Sequence, residues 1–229
     1  MILEIKLMRN ILGANDEIAA QNRKMFAERG VIVMNLMGSP GSGKTTLLEK
    51  TLTRLADEIK IAVIEGDLFT AKDAERIERA GVDVIQINTA GGCHLDASMI
   101  QKACASLNLD AIDLLIVENV GNLVCPAEFD IGENFKAVVL SITEGDDKPL
   151  KYPLIFKESE VILLNKIDLL PFTNFNLQSA REDLTTLHPT IKIFETSCTK
   201  DTGLDDWAAW LLGKVPALKA GEQLTRCTV

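Results

Sequence analysis

Short apolar runs punctuate the chain: Val31–Met37, Ile59–Glu65, Val82–Asn88, Ile112–Glu118, Ala137–Thr143, Val161–Asn165 and Ile191–Thr196. Each is rich in Val, Ile and Leu and lacks the polar alternation of a half-exposed strand. Such runs read as strands covered on both faces. Charged segments with helical spacing separate most of them, notably Ala71–Ala80, Asp96–Leu107 and Asn176–Leu187. Strands that alternate with helices pair in parallel, and right-handed crossovers distribute the helices over both faces. The pattern predicts a three-layer α/β domain over residues 31–215, with a mostly parallel sheet of about seven strands. Residues 1–30 read as a helical extension, with Ile18, Ala19, Ala20, Met25 and Phe26 along one stripe of a helix starting near Asn15. Residues 216–229 are weakly patterned and read as a C-terminal tail prone to fraying.

Composition narrows the class. The 229 residues are 47% hydrophobic, ample for one sizeable core. A formal net charge of −9 argues against nucleic-acid binding, which requires a basic face. No apolar run approaches a membrane span, and Glu4, Lys6 and Arg9 interrupt any leader-like pattern at the start, so a cytoplasmic location is expected. The five cysteines are odd in number and scattered, which suits free thiols or metal ligands better than disulfides.

The first apolar run leads directly into Gly38-Ser39-Pro40-Gly41-Ser42-Gly43-Lys44-Thr45, and a helical pattern from Thr46 to Leu52 leads out. This is a phosphate-binding loop in its proper setting. The glycines let backbone N–H groups curl around phosphate oxygens, Lys44 reaches the β- and γ-phosphates, and the Thr45 hydroxyl ligates Mg²⁺. The following helix, beginning near Thr46, adds the partial positive charge of its N-terminus. The fold expectation sharpens to a P-loop NTPase.

Asn165-Lys166-Ile167-Asp168, at the end of a later strand, indicates guanine. The Asp168 carboxylate can accept from both the N1–H and the 2-amino group, a pair that adenine lacks. Asn165 would reach the ring's outer edge, and the aliphatic stem of Lys166 would cover one ring face. Ser197 and Cys198, in Thr196-Ser197-Cys198-Thr199, would bring a backbone N–H to the guanine O6. Glu118 closes the run Ile112–Val117 and is placed to serve Mg²⁺, directly or through water. Three residues on, Gly121 offers its N–H to the γ-phosphate. Asp67, in Glu65-Gly66-Asp67, either holds Mg²⁺, orients the attacking water, or is a plain turn aspartate. No internal arginine finger or water-positioning glutamine stands out, so slow intrinsic turnover is expected.

Cys93 and His94 follow the flexible Thr89-Ala90-Gly91-Gly92, and Cys125 lies four residues past Gly121. In a parallel sheet these two strand ends can be neighbours on the same edge, the edge that also carries the phosphates. Two thiolates and an imidazole suit Zn²⁺ or Ni²⁺, although ordinary loop thiols fit this sparse pattern as well. Cys104 falls on an apolar helix face and reads as core, and Cys227 lies in the tail.

Taken together, Gly38–Thr45, Glu65-Gly66-Asp67, Thr89–Ala97 (TAGGCHLDA), Glu118–Pro126 (ENVGNLVCP), Thr143–Pro153 (TEGDDKPLKYP) and Asn165–Asp168 resemble the nickel-incorporation GTPases of hydrogenase maturation, the HypB family. The resemblance implies hydrolysis of GTP to GDP and phosphate, a homodimer in the GTP-bound form, and delivery of nickel to a [NiFe]-hydrogenase large-subunit precursor. It implies a small zinc-containing nickel-chaperone partner, and it maps a Ni²⁺ or Zn²⁺ site onto Cys93, His94 and Cys125. Two features depart from the family pattern. Met1–Lys6 carry neither the Cys-rich motif nor the His-rich tract of many members, and Ala90 stands where glycine is common. The competing readings are a metal-binding adaptor that uses nucleotide structurally, a urease- or cobalamin-type maturation GTPase, and a P-loop kinase.

Overall fold

The computed structural model describes residues 7–67 and 72–227. Seven strands lie on the seven apolar runs: β1 (Ile32–Gly38), β2 (Ile61–Asp67), β3 (Asp83–Asn88), β4 (Leu114–Glu118), β5 (Phe135–Ser141), β6 (Val161–Asn165) and β7 (Lys192–Thr196). They form one parallel sheet in the order β3-β2-β4-β1-β5-β6-β7. The principal helices are α1 (Leu7–Arg29), α2 (Lys44–Leu55), α3 (Lys72–Glu78), α4 (Ala97–Cys104), α5 (Cys125–Glu128), α6 (Lys148–Lys151), α7 (Pro153–Lys157), α8 (Leu177–Leu187) and α9 (Leu204–Cys227).

Strand residues of opposite parity pack against opposite layers. Ile32, Met34 and Leu36 meet Leu47, Leu48 and Leu52 of α2 and Trp207 and Leu211 of α9. Val31 and Val33 face the other way, with Phe26 of α1 and Ile100 of α4. Farther along that second face, Val138, Leu140, Ile162 and Leu164 pack on Ile155 and Phe156 of α7 and Leu184 of α8. This double coverage explains why the strands are apolar without alternation. Because all strands run the same way, the loops after β1, β2, β3, β4 and β6 open at a single edge of the sheet.

Two terminal regions differ from expectation. Helix α1 begins at Leu7, eight residues ahead of Asn15, which is buried within it. Met1–Lys6 lie outside the described residues. Helix α9 continues past Val215 to Cys227 with Pro216 inside it, where the sequence reads as a fraying tail. The indole of Trp207 donates to Thr51 Oγ1 at 2.9 Å, and Val215 is buried, so the α9 segment that enters this region is anchored in the core.

Candidate functional site

The phosphate-loop sequence turns out of β1 and into α2. Lys44 is buried and its Nζ donates to the carbonyls of Gly38 (3.2 Å) and Ser39 (3.3 Å). Burial holds its pKa below the ordinary lysine value, against the pull of Glu118 and other carboxylates. Thr45 Oγ1 donates to Glu118 Oε1 at 2.8 Å. Glu118 is pushed up to about 7 by burial, with Lys44 and Thr45 opposing. Glu65 sits directly opposite Glu118 in the β2–β4 register and is pushed up to about 8, first by burial and then by Glu118. Each of these two carboxylates keeps one buried oxygen without a hydrogen-bond partner. Two such oxygens beside a P-loop hydroxyl fit a hydrated divalent cation, so the residues present suit Mg²⁺. Glu65 is the residue that sequence reasoning passed over. Its signal is a carboxylate inside an otherwise apolar run, two positions ahead of Asp67.

A cavity of about 440 Å³ opens above these groups, lined by Pro40, Lys44, Thr45, Glu65, Asp67, Glu118 and Gly121 among others. Gly121 presses on the loop itself: a Cβ there would lie 2.9 Å from both Cα and N of Pro40, so only glycine fits. Arg76 also borders the cavity. Its guanidinium is committed to Glu49, Asp73 and the Thr46 hydroxyl, so it serves here as a brace rather than a free cation.

A second cavity of about 290 Å³ adjoins the loop, lined by Gly43, Thr46, Asn165, Lys166, Asp168 and Cys198 among others. Asp168 accepts from Ser197 Oγ at 2.5 Å, and the Ser197 N–H is taken by the Thr202 carbonyl. Lys166 adopts left-handed backbone (φ 64°) and its Nζ donates to Gly41 O at 2.6 Å. Asn165 lines this cavity too, and its side chain is engaged within the protein. Its amide donates to Ser42 O (2.9 Å) and accepts from Thr196 Oγ1 (3.3 Å). It is a strut between the phosphate loop and β7, because the buried Ser42 carbonyl needs a donor.

The thiols and imidazole converge. Cys93 Sγ lies 3.0 Å from Cys125 Sγ and 3.5 Å from His94 Nδ1, and all the donor atoms fall within 4.8 Å of one another. Both cysteines are free thiols. Strands β3 and β4 end at the same edge of the sheet with β2 between them, and the loops that follow them close the gap. Contact with Cys93 raises the Cys125 pKa, and burial lowers that of His94. The His94 ring rests on Phe129, with centroids 3.8 Å apart and planes at 31°. Ala90 is held in left-handed backbone (φ 50°), an unfavourable geometry for a residue with a Cβ. Cys104 is buried as expected, its thiol pushed up to about 12 by desolvation.

Two asparagines of the segment after β4 tie the metal-type cluster to β1 and to the start of the phosphate loop. Asn119 Oδ1 accepts from Leu95 N–H at 3.0 Å, and its amide donates to Asn35 at 3.1 Å. Asn122 N–H donates to Gly38 O at 3.0 Å, while its side chain donates to Cys93 O at 3.3 Å.

Residues 32–195 match the family model for the CobW/HypB/UreG nucleotide-binding domain. Over 210 residues the chain is 50% identical to the hydrogenase maturation factor HypB of Escherichia coli K12, covering 92% of this chain and 72% of that protein. The chain belongs to the HypB family. The crystal structure of HypB from Helicobacter pylori in complex with nickel superposes on it with a TM-score of 0.85 and 41% identity, covering 90% of this chain and 97% of that one. HypB from Archaeoglobus fulgidus gives 0.83 and 38%, covering 89% and 100%. Among the described residues of this HypB-family chain, no helix is long and apolar enough to cross a membrane.

Proposed function

We propose that this HypB-family chain is a cytoplasmic GTPase that carries nickel for the maturation of a [NiFe]-hydrogenase, with its nucleotide state coupled to metal binding and to dimerisation. The observation that carries the reading is the approach of Cys93 and Cys125 to 3.0 Å, with the segment before Cys125 bonded to the phosphate loop through Asn122 and Gly38. Two thiolates and an imidazole make a soft, borderline donor set suited to Ni²⁺ or Zn²⁺. An exposed Cys93 leaves the cluster open to a donor and an acceptor of the ion. The handover partners in this reading are a small zinc-containing nickel chaperone and the hydrogenase large-subunit precursor.

At the nucleotide, Lys44 and the loop N–H groups would bind the phosphates, and Asp168 would select guanine. Thr45, Glu118 and Glu65 would hold Mg²⁺, which neutralises phosphate charge when bound. With Arg76 committed to its own ion pairs, no free cation among the described residues faces the cavity as an arginine finger, and the expected turnover is slow. Gly121 contacts Pro40, and Cys125 follows four residues later. A γ-phosphate that draws Gly121 inward displaces Cys125 as well, unless residues 122–124 absorb the shift. By reciprocity, bound metal changes GTP affinity by the same coupling free energy.

The test measures nickel content and molar mass together, on the GDP form and on a form with a non-hydrolysable GTP analogue, alongside phosphate release under multiple turnover. The reading expects a different metal affinity and a larger mass with the analogue, and slow but real turnover. Equal affinities and masses in both states would reduce the protein to an uncoupled nucleotide hydrolase.

A further inference from the structure

The N-terminal helix reaches the loops that carry the Cys93–His94–Cys125 cluster, and it does so with two buried amides. Asn15 and Asn22 lie seven residues apart on the face of α1 that also buries Ala19 and Phe26. Asn15 Oδ1 accepts from Ala97 N–H at 3.0 Å, and its Nδ2 donates to Asp130 O at 2.7 Å. Asn22 Nδ2 donates to Ala97 O at 2.8 Å and to Ile131 O at 3.1 Å. Each amide therefore bridges the same two segments. One is Ala97, three residues after His94. The other is 130–131, which follows Phe129, the ring on which His94 rests. The helix seats closely at this point: a Cβ on Gly132 would lie 2.7 Å from Asn22 Cβ and 2.8 Å from Ala19 O. Arg23 adds a two-pronged pair to the Asp130 carboxylate. Asn22 makes these bonds although its Oδ1 stays buried without a partner. A helix that only covered the sheet would place apolar side chains at both positions.

We propose that α1 is a positioning element for the metal cluster, with Asn15 and Asn22 fixing the separation of the Cys93–His94 loop from the Phe129–Ile131 turn. The inference rests on the reading of Cys93, His94 and Cys125 as a nickel site. The two asparagines touch no ligand atom; they act through the backbone on either side. The effect is of the kind that outer hydrogen bonds exert on metal ligands. It also sets α1 apart from Asn119 and Asn122, which hold the same loop from the nucleotide side.

The experiment titrates Ni²⁺ into the full, GDP-loaded chain against a chromophoric chelator and follows the sulfur-to-nickel charge-transfer band. The variants are Asn15→Ala, Asn15→Asp and, as a stability-matched control on the opposite face of the sheet, Thr51→Val. Asn15→Ala is expected to weaken Ni²⁺ about tenfold and alter the band, with GDP affinity retained. Asn15→Asp keeps the acceptor for Ala97 N–H but loses the donor to Asp130, so it should resemble Asn15→Ala. Thr51→Val should bind Ni²⁺ like the parent. If Asn15→Asp binds like the parent, the asparagine merely caps α4 and the positioning role is gone. If all variants bind like the parent, or Thr51→Val weakens Ni²⁺ equally, the inference is wrong while the nickel site stands. If the parent chain shows neither the band nor stoichiometric Ni²⁺, the site reading itself fails, and the inference with it.

Discussion

The phosphate loop, Gly38–Thr45, is one uninterrupted stretch of chain between a strand and a helix. The thiol–imidazole cluster is drawn from two loops on either side of an intervening strand. The first is shaped by its own backbone and by buried groups beneath it: Lys44 on the loop carbonyls, Glu118 on Thr45, Asn165 on Ser42. The second has an exposed cysteine and no backbone ladder joining its halves. Four asparagine side chains grip it instead, Asn15 and Asn22 from α1 and Asn119 and Asn122 from the segment after β4. Each such bond contributes about 1 kcal/mol net. A site carried on one continuous stretch has its order set by the chain itself, and the buried groups beneath it hold its shape. One closed by a few amides is adjustable, and its affinity follows the positions of the elements that present them.

The contrast is open to direct attack. Asp168→Asn removes the double acceptor for guanine, and the preference for GDP over ADP should fall roughly 1000-fold, read by competition with a fluorescent nucleotide. Retained preference would move base recognition elsewhere in the Asn165–Cys198 cavity. Lys44→Ala should slow phosphate release by about 100-fold or more while leaving the Ni²⁺ stoichiometry of the metal-loaded chain unchanged. Cys125→Ala should do the converse: Ni²⁺ affinity falls about 100-fold and GDP affinity shifts by no more than about twofold, since the sites share no side chain. Matching losses in both variants would show one site rather than two. The smallest effect belongs to Asn122→Ala, which cuts the side-chain tie to Cys93 but spares the N–H on Gly38. The ratio of Ni²⁺ affinities between the GDP and GTP-analogue forms should narrow about fivefold. An unchanged ratio would send the coupling through the covalent path from Gly121 to Cys125 alone.

Several parts of this picture are legible in the chain and others are not. The strands are, because a parallel strand covered on both faces must be apolar throughout, and β6 begins and ends where its run does. The phosphate loop is, because its chemistry depends on residues adjacent in sequence. The role of Asn165 is not: its side chain meets Ser42 and Thr196, partners that only the packing of β6 beside the loop supplies. Asn15 and Asn22 look like interruptions of an apolar stripe. Their spacing of seven on the Ala19–Phe26 face was the available signal, but an amide aimed at another segment's backbone leaves no mark in periodicity. The continuation of α9 through Pro216 is similar, since a proline reads locally as a stop while tertiary anchoring carries the helix onward.

What the sequence alone determined is local: which stretches are strands, which loop cradles phosphate, and that Cys93, His94 and Cys125 each follow a strand end. What the tertiary structure decided is relational. It set β2 between β3 and β4, brought two sulfurs to 3.0 Å across that gap, and turned four asparagines, two from α1 and two from the segment after β4, onto the stretch from Cys93 to Ala97. The reason is that periodicity and spacing record the forces within one element. The order of strands and the closure of loops answer to packing among all of them at once.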